Sequence, residues 1–417
     1  MDRMTQIPPR TVLVIGAGIT GVSTAEWLRR AGAQVTLVDR ITPGDPKQTS
    51  FGNAGILARC AVVPVSVPGL LAKAPKMLID PKSPLFMKWS YLPRLLPWLV
   101  PFLQNGRMDR LKEIVKALEP LTSDSVDQHL SLSKGTPAEK FIKTGDYTYL
   151  YQDEEAYKAD ALGMTLRRQQ GFTIKEATRE ELLQTDPQLS EAYSFGAIFP
   201  DHGWISAPGA YVKALAEHFL SEGGTFQQGE VKDIEDGQVT LQGGDILKAD
   251  RIIVATGAWS KGLAKKLGDN PNLETERGYH LLLKNPSHMP QGPCMIADGK
   301  FAMTPMEDGL RLAGIVEFGG LKAPPSDAPI ELLRNHIRRV YPGLTWEGED
   351  KWMGHRPSTS DSLPVLGHAS KAPRVIYAFG AQHIGLTMGP RLGRMAADLA
   401  MDVGTNIDIS PYRADRF

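Results

Sequence analysis

The sequence predicts an α/β protein with a second, α+β domain inserted into it, and three observations lead there. A continuous apolar run, Val12-Leu13-Val14-Ile15, passes through a glycine-rich turn into a helical pattern and then a second apolar run, Val35-Thr36-Leu37-Val38. Far downstream, Arg251-Ile252-Ile253-Val254-Ala255 ends at Thr256-Gly257, as a buried strand returning to the same parallel sheet would. The chain has 417 residues, more than one domain commonly holds, so the intervening region is expected to form the second.

The first unit reads as strand, helix and parallel strand. Its turn is Gly16-Ala17-Gly18-Ile19-Thr20-Gly21, and Asp39-Arg40 closes the second strand. Gly16 suits a tight turn, Gly18 a close approach to a pyrophosphate, and Gly21 close helix–strand packing. The helix N-terminus offers free N–H groups and partial positive charge to phosphates. Asp39 stands 23 residues after Gly16, where an acid accepts hydrogen bonds from a ribose and repels a 2′-phosphate. This is a Rossmann-type dinucleotide unit. NAD and FAD both remain open at this point.

Composition narrows the class. Lys plus Arg equal Asp plus Glu at 47 each, so no basic surface for nucleic acid is expected. Two cysteines, Cys60 and Cys294, are too few and too scattered for a disulfide framework or a metal cluster. The N-terminus, MDRMTQIPPR, lacks an apolar export core, and no run of eighteen apolar residues exists. A cytoplasmic protein is expected, without metal.

Residues 40–60 hold a Pro/Gly-rich loop followed by Thr49-Ser50-Phe51-Gly52-Asn53-Ala54-Gly55, small and hydrogen-bonding residues that let backbone approach a flat ring. Residues 84–103 are the outlier, with aromatics, leucines and prolines at 93, 97 and 101. The prolines argue against a long regular helix. The stretch reads either as a shallow membrane-surface or partner patch, with Lys88, Arg94 and the tryptophans near head groups, or as a buried inter-domain or oligomer segment.

Residues 109–132 and 154–170 carry helical spacing, Gly145–Tyr151 a strand pattern whose tyrosines suit sheet packing, and 195–205 a short strand and turn. A helix over 207–222 precedes two strands, Thr225–Asp233 and Gln238–Leu241. Residues 277–283 and 310–318 read as strands of the second domain, and 328–341 as a helix. Residues 351–367 bring Arg356 into an irregular loop. The chain closes as strand 375–379, a glycine-rich turn, and a helix opened by Pro390.

Taken in order, the GxGxxG unit, TSFGNAG, the ATG strand end, RPSTSDSLPVLG and GAQHIGLTMGP resemble the D-amino-acid oxidase/dehydrogenase (DAO) flavoprotein superfamily, most closely its D-amino-acid dehydrogenase branch. The resemblance runs from about residue 10 to 410. It implies FAD, a Rossmann-type FAD domain formed by 1–80, 196–270 and 350–417, and a substrate domain formed by 81–195 and 271–349 whose mixed or antiparallel sheet roofs the flavin. It implies that Gly16, Gly18, Ile19, Thr20 and Gly21 serve the pyrophosphate and Asp39 and Arg40 the adenosine. Thr49, Ser50, Asn53, Ala54 and Gly55 would line the isoalloxazine, Val231 the adenine, and Thr256-Gly257 the ATG turn. Gly380, Gly385, Leu386 and Thr387 would bond the flavin's N1/C2=O edge. No cysteine stands in GAQHIGLTMGP, so FAD is expected to be non-covalent.

The resemblance also names substrate residues. Arg356, in an RP dipeptide before Asp361–Gly367, is expected to clamp a carboxylate; the competing reading is a structural pair with Asp361. His383 stands where some relatives carry a second Arg, and Tyr279, ahead of His280, is the better roof candidate. Arg311 stands where some oxidases carry a flavin-adjacent Lys, which leans towards a dehydrogenase. The implied reaction is hydride transfer from the Cα of a D-amino acid to flavin N5, with a quinone or another carrier as acceptor and residues 84–103 as the membrane contact. Rivals are a cis-4-hydroxy-D-proline dehydrogenase, a glycine- or sarcosine-type oxidase using oxygen, and a flavin-bearing subunit that needs partner chains.

Overall fold

The computed structural model describes residues 10–70, 72 and 84–417. The reading of the export region at the N-terminus falls on residues 1–9 and lies outside them. Strand β1 (Thr11–Ile15), helix α1 (Ile19–Arg30) and strand β2 (Gln34–Asp39) form the expected unit. They belong to a six-stranded sheet ordered Val365–Ala369, Ala372–Phe379, Arg251–Val254, β1, β2, Thr225–Gln228. All neighbours run parallel except the outermost pair, Val365–Ala369 with Ala372–Phe379.

Alternation along β1 explains the layers. Val12 and Val14 pack into a core with α1 and the helices Pro208–Ser221 and Gly385–Ala400. Leu13 and Ile15 face the opposite core, shared with a three-stranded sheet of Val231–Glu235, Gln238–Leu241 and Ile246–Lys248. A strand buried on both faces reads as the unbroken apolar run seen in the sequence. The single strand expected over 225–233 is in fact two. Gly229 and Glu230 separate a strand of the main sheet from one of the three-stranded sheet.

A ten-stranded, mostly antiparallel sheet forms the second layer system, with Gly348–Thr359, Leu273–Lys284 and Gly309–Phe318 side by side at one end. Towards its other end, Ile142–Tyr151 pairs with Phe195–Ile205. Two expectations change here. Residues 195–205 form one continuous eleven-residue strand, with Asp201 at φ 62° in place of the expected turn. Arg356 lies within a regular strand, because Gly348–Thr359 pairs along its whole length with Leu273–Lys284.

The proline-spaced stretch also differs from expectation, since Leu92–Gln104 is a helix. Pro93 sits in its first turn, where no N–H bond is lost. The four-residue spacing stacks the remaining gaps on one face, which is exposed at Pro93 and Pro97. Pro97's carbonyl, deprived of a partner by Pro101, accepts from Asn272 Nδ2 at 3.1 Å. The other face buries Leu95, Trp98 and Phe102. Trp98 stacks on Phe102 at 4.6 Å and donates through Nε1 to the Ser358 carbonyl at 2.9 Å, so the helix is tied to the strand that carries Arg356.

Candidate active site

The carboxyl ends of the parallel strands meet the ten-stranded sheet across a cavity of about 1260 Å³. In open parallel sheets ligands bind at this edge. Gly16, at φ 104°, turns here, and a Cβ on it would lie 2.4 Å from the Ala255 carbonyl oxygen. A Cβ on Gly21 would lie 1.7 Å from the Gly16 oxygen, so Gly21 acts behind the turn and forms no part of the wall. Gly18, Ile19 and Thr20 line the cavity at the N-terminus of α1, where the Ile19 N–H donates to Ser50 Oγ at 3.0 Å.

Asp39 closes β2 with its carboxylate accepting from the Ala17 N–H at 2.6 Å, and burial raises its pKa. Arg40 stacks on Trp259 at 4.1 Å, and with Val231, Thr256 and Gly257 they complete this end of the cavity.

The loop after β2 forms the middle of the wall. Thr49, Ser50, Asn53 and Ala54 line the cavity, and Thr49 Oγ1 donates to the His355 carbonyl at 2.9 Å. Gly55 lies outside the wall; its N–H donates to Asn53 Oδ1, and its carbonyl accepts from Ile205. Buried Arg311 stands under this loop, donating to the carbonyls of Phe51 and Asn53 at 3.0 and 2.7 Å. It does not line the cavity.

Gly380, Gly385, Leu386 and Thr387 line the facing side. Here the helix begins at Gly385, five residues before Pro390, so the positive helix end lies at the cavity itself. Thr387 Oγ1 anchors the start by donating to the Ile56 carbonyl at 2.9 Å.

Arg356 enters from the sheet, its guanidinium over Gly278, where a Cβ would come within 2.4 Å of Nε. Half-buried, it makes no hydrogen bond or ion pair with the described residues. Its expected structural rival is occupied elsewhere, because Asp361 is paired with Arg416 at 2.6 Å. His383 also lines the cavity; enclosure by the walls and the Arg356 charge push its pKa down to about 4, so it is neutral at pH 7.

Tyr279 is a correction. Side chains alternate along Leu273–Lys284, and Tyr279 falls on the face away from the cavity. There its hydroxyl donates to Glu317 at 2.6 Å and accepts from the Ser326 N–H at 3.0 Å. His280 is not in the wall either, but stacks on Trp352 at 5.0 Å.

Sequence reading passed over Glu276, which lines the cavity directly across the strand register from Arg356. The sequence marked it only as one of two acids, Glu274 and Glu276, in a strand that also carries Arg277 and His280. Sequence reading also passed over Gln48, Trp259 and Arg167 in the wall; Tyr147 and Tyr149, expected to serve sheet packing, line the cavity too and pack with Arg167.

The cavity suits a dinucleotide with a planar ring. The Gly16 cradle admits no side chain, the Asp39 carboxylate closes β2, and two helix N-termini line the same cavity. Comparison with known proteins gives the same group. The family model of FAD dependent oxidoreductases (DAO) matches residues 11–399. A D-amino-acid oxidase of Bradyrhizobium diazoefficiens is 37% identical, covering 98% of this chain and 99% of the relative. A D-amino acid dehydrogenase of Rhizobium rhizogenes is 28% identical, over 97% of this chain and 99% of the relative. Among solved structures, glycine oxidase from Geobacillus kaustophilus superposes with a TM-score of 0.72 at 21% identity, covering 98% of this chain and 99% of that one.

Proposed function

The chain belongs to the DAO family of FAD-dependent oxidoreductases, and we propose that it oxidises D-amino acids whose carboxylate is held by Arg356. The observation that carries this reading is a guanidinium facing the cavity with no hydrogen-bond or ion-pair partner among the described residues. A guanidinium matches a carboxylate bidentately and fixes the position of the adjoining Cα. Neutral His383 beside it offers a further hydrogen bond without competing for the negative charge.

Gly16, Gly18, Ile19, Thr20, Asp39, Arg40 and Val231 would hold the cofactor's nucleotide half; Thr49, Ser50, Asn53, Ala54, Gly380 and Gly385–Thr387 would hold its ring. When bound, FAD supplies the acceptor for the hydride leaving the substrate's Cα. The helix end at Gly385 would stabilise negative charge gathering there. Neither cysteine lines the cavity, in keeping with non-covalent attachment. The imino acid product hydrolyses in water to a 2-oxo acid and ammonia, and a cyclic one leaves intact.

For the acceptor we favour a quinone or another carrier reached at a membrane surface. No described helix is long and apolar enough to cross a membrane. Trp89, Leu96 and Val100 are nonetheless exposed at 58, 45 and 48%, with Arg94 beside them. Trp98 takes no part in this patch, and Lys88 is engaged by the Pro324 carbonyl.

The test is anaerobic mixing of purified holoprotein with D-alanine, L-alanine and cis-4-hydroxy-D-proline. D-alanine is expected to bleach the flavin band and L-alanine to leave it. Bleaching by the hydroxyproline alone would move the substrate to cyclic amino acids. A band untouched by all three would remove the D-amino-acid reading. Peroxide release in air with singly expressed protein would make the enzyme an oxidase, and activity only with added partner chains would make it a subunit.

A further inference from the structure

Glu276 and Arg356 are opposite one another in the antiparallel pairing of Leu273–Lys284 with Gly348–Thr359. Directly opposed residues project to the same face of a sheet with their Cβ atoms about 4.5–5.5 Å apart, and here both side chains line the cavity. No ion pair joins them, and Glu276 is only 6% exposed. A buried carboxylate and a half-buried guanidinium thus stand side by side without an ion pair between them.

We propose that Glu276 is the group that receives the substrate's ammonium while Arg356 receives its carboxylate, and that Glu276 accepts the ammonium proton. The proposal rests on the D-amino-acid reading above. An amino acid carries opposite charges on one carbon, so a site that reads it needs an anion and a cation close together. The strand register supplies both. In the transfer an ammonium N–H bond breaks and an O–H bond forms on the Glu276 carboxylate. The electron pair stays on nitrogen, where it is needed for the Cα hydrogen to depart as hydride.

The surroundings favour this assignment. Facing Glu276 are Arg356 on the neighbouring strand, Glu274 two residues along its own strand, and His383 from the turn after Ala372–Phe379, reached through Arg356. Glu274 is engaged by the Tyr91 hydroxyl at 3.0 Å. His383 is opposed by the Arg356 charge in taking up a proton, whereas the same charge favours an ionised Glu276. Burial raises the pKa of Glu276, and Arg356 and the Ser358 hydroxyl offset only part of this, so the carboxylate is moved towards the basicity that proton acceptance requires. The other cavity carboxylates, Asp39, Asp160, Glu230 and Asp298, sit on other elements.

The experiment compares holoenzyme of wild type, Glu276→Gln and Glu276→Asp. Propionate, a carboxylate without an ammonium, is titrated by the shift of the flavin band, and anaerobic reduction by D-alanine is followed from pH 6 to 10. Glu276→Gln is expected to keep its FAD and to bind propionate within about twofold of wild type. It should bind D-alanine at least about tenfold more weakly, and the alkaline rise of the reduction rate should move up towards the free ammonium's own titration. Glu276→Asp should restore most of the D-alanine affinity and return the rise to its place, which keeps the test open if the Gln form does not fold.

Equal weakening of propionate and D-alanine, or a D-alanine affinity and pH rise unchanged in Glu276→Gln, would overturn the assignment to Glu276 and leave the D-amino-acid reading standing. Wild-type flavin that D-alanine neither reduces nor shifts would overturn that reading, and the role of Glu276 with it.

Discussion

The imidazole of His129 donates through Nε2 to the carbonyl oxygen of Leu386 at 2.8 Å. That carbonyl would ordinarily accept from residue 390, which is proline and has no N–H. Because a carbonyl can only accept, Nε2 carries the proton, and Nδ1 accepts from the Tyr211 hydroxyl at 2.8 Å. A buried neutral histidine thereby repairs the first turn of the helix whose end lines the cavity.

This arrangement makes stability depend on pH. Burial lowers the pKa of His129 to about 4, from an ordinary 6.5. As pH falls the unfolded chain takes up this proton first, so the stability His129 contributes is complete above about 6.5 and is lost as pH drops towards 4. His202, also near 4, adds to the same window. Glutamine at 129 keeps a donor and cannot titrate. His129→Gln is predicted to lose about 1–3 kcal/mol at pH 7.5 and to show a shallower decline below pH 6.5, by up to about one proton. Urea unfolding at pH 7.5, 6 and 5 checks this; curves running parallel to wild type would contradict it.

Gly278→Ala tests the seat of Arg356 without touching the charge. The new Cβ would fall 2.4, 2.6 and 2.8 Å from Nε, Cζ and Nη2, so the guanidinium must move. A flexible side-chain end moves at little cost, and the melting temperature should stay near wild type. The Michaelis constant for a D-amino acid should rise about tenfold or more, with FAD content unchanged. Steady-state kinetics beside a thermal melt decide it, and normal kinetics in a folded variant would place the guanidinium elsewhere.

Leu96→Asn with Val100→Asn tests the exposed face of the Leu92–Gln104 helix. Both side chains are exposed, so stability should change by no more than about 0.5 kcal/mol. Wild type is predicted to float with anionic liposomes and the double variant to stay in solution. Equal flotation, or none from wild type, would remove this face from any membrane contact.

Much of the fold was legible. The βαβ unit and the return of the chain at Ala255-Thr256-Gly257 are written as glycine turns after apolar runs, and both ends fall in one parallel sheet. What stayed illegible depends on partners distant in sequence. Helix Leu92–Gln104 survives its prolines partly because Asn272 supplies a missing hydrogen bond, and Gly385 can start its helix ahead of Pro390 because His129 does the same. Tyr279 and Glu276 carry no local mark of which face they occupy. The pairing with Gly348–Thr359 places Glu276 opposite Arg356, and the alternation along the strand turns Tyr279 to Glu317. Arg356 is without an ion pair among the described residues because Arg416, near the chain's end, takes Asp361.

The most direct measurement is the concentration of D-alanine that half-saturates flavin reduction in Arg356→Ala against wild type, both loaded with FAD. A carboxylate clamp predicts full flavin content, an unshifted resting spectrum and a half-saturating concentration raised about a hundredfold or more. Arg356→Lys should fall between, since a point charge replaces the fork. A half-saturating concentration equal to that of wild type in a fully loaded Arg356→Ala enzyme would contradict the account.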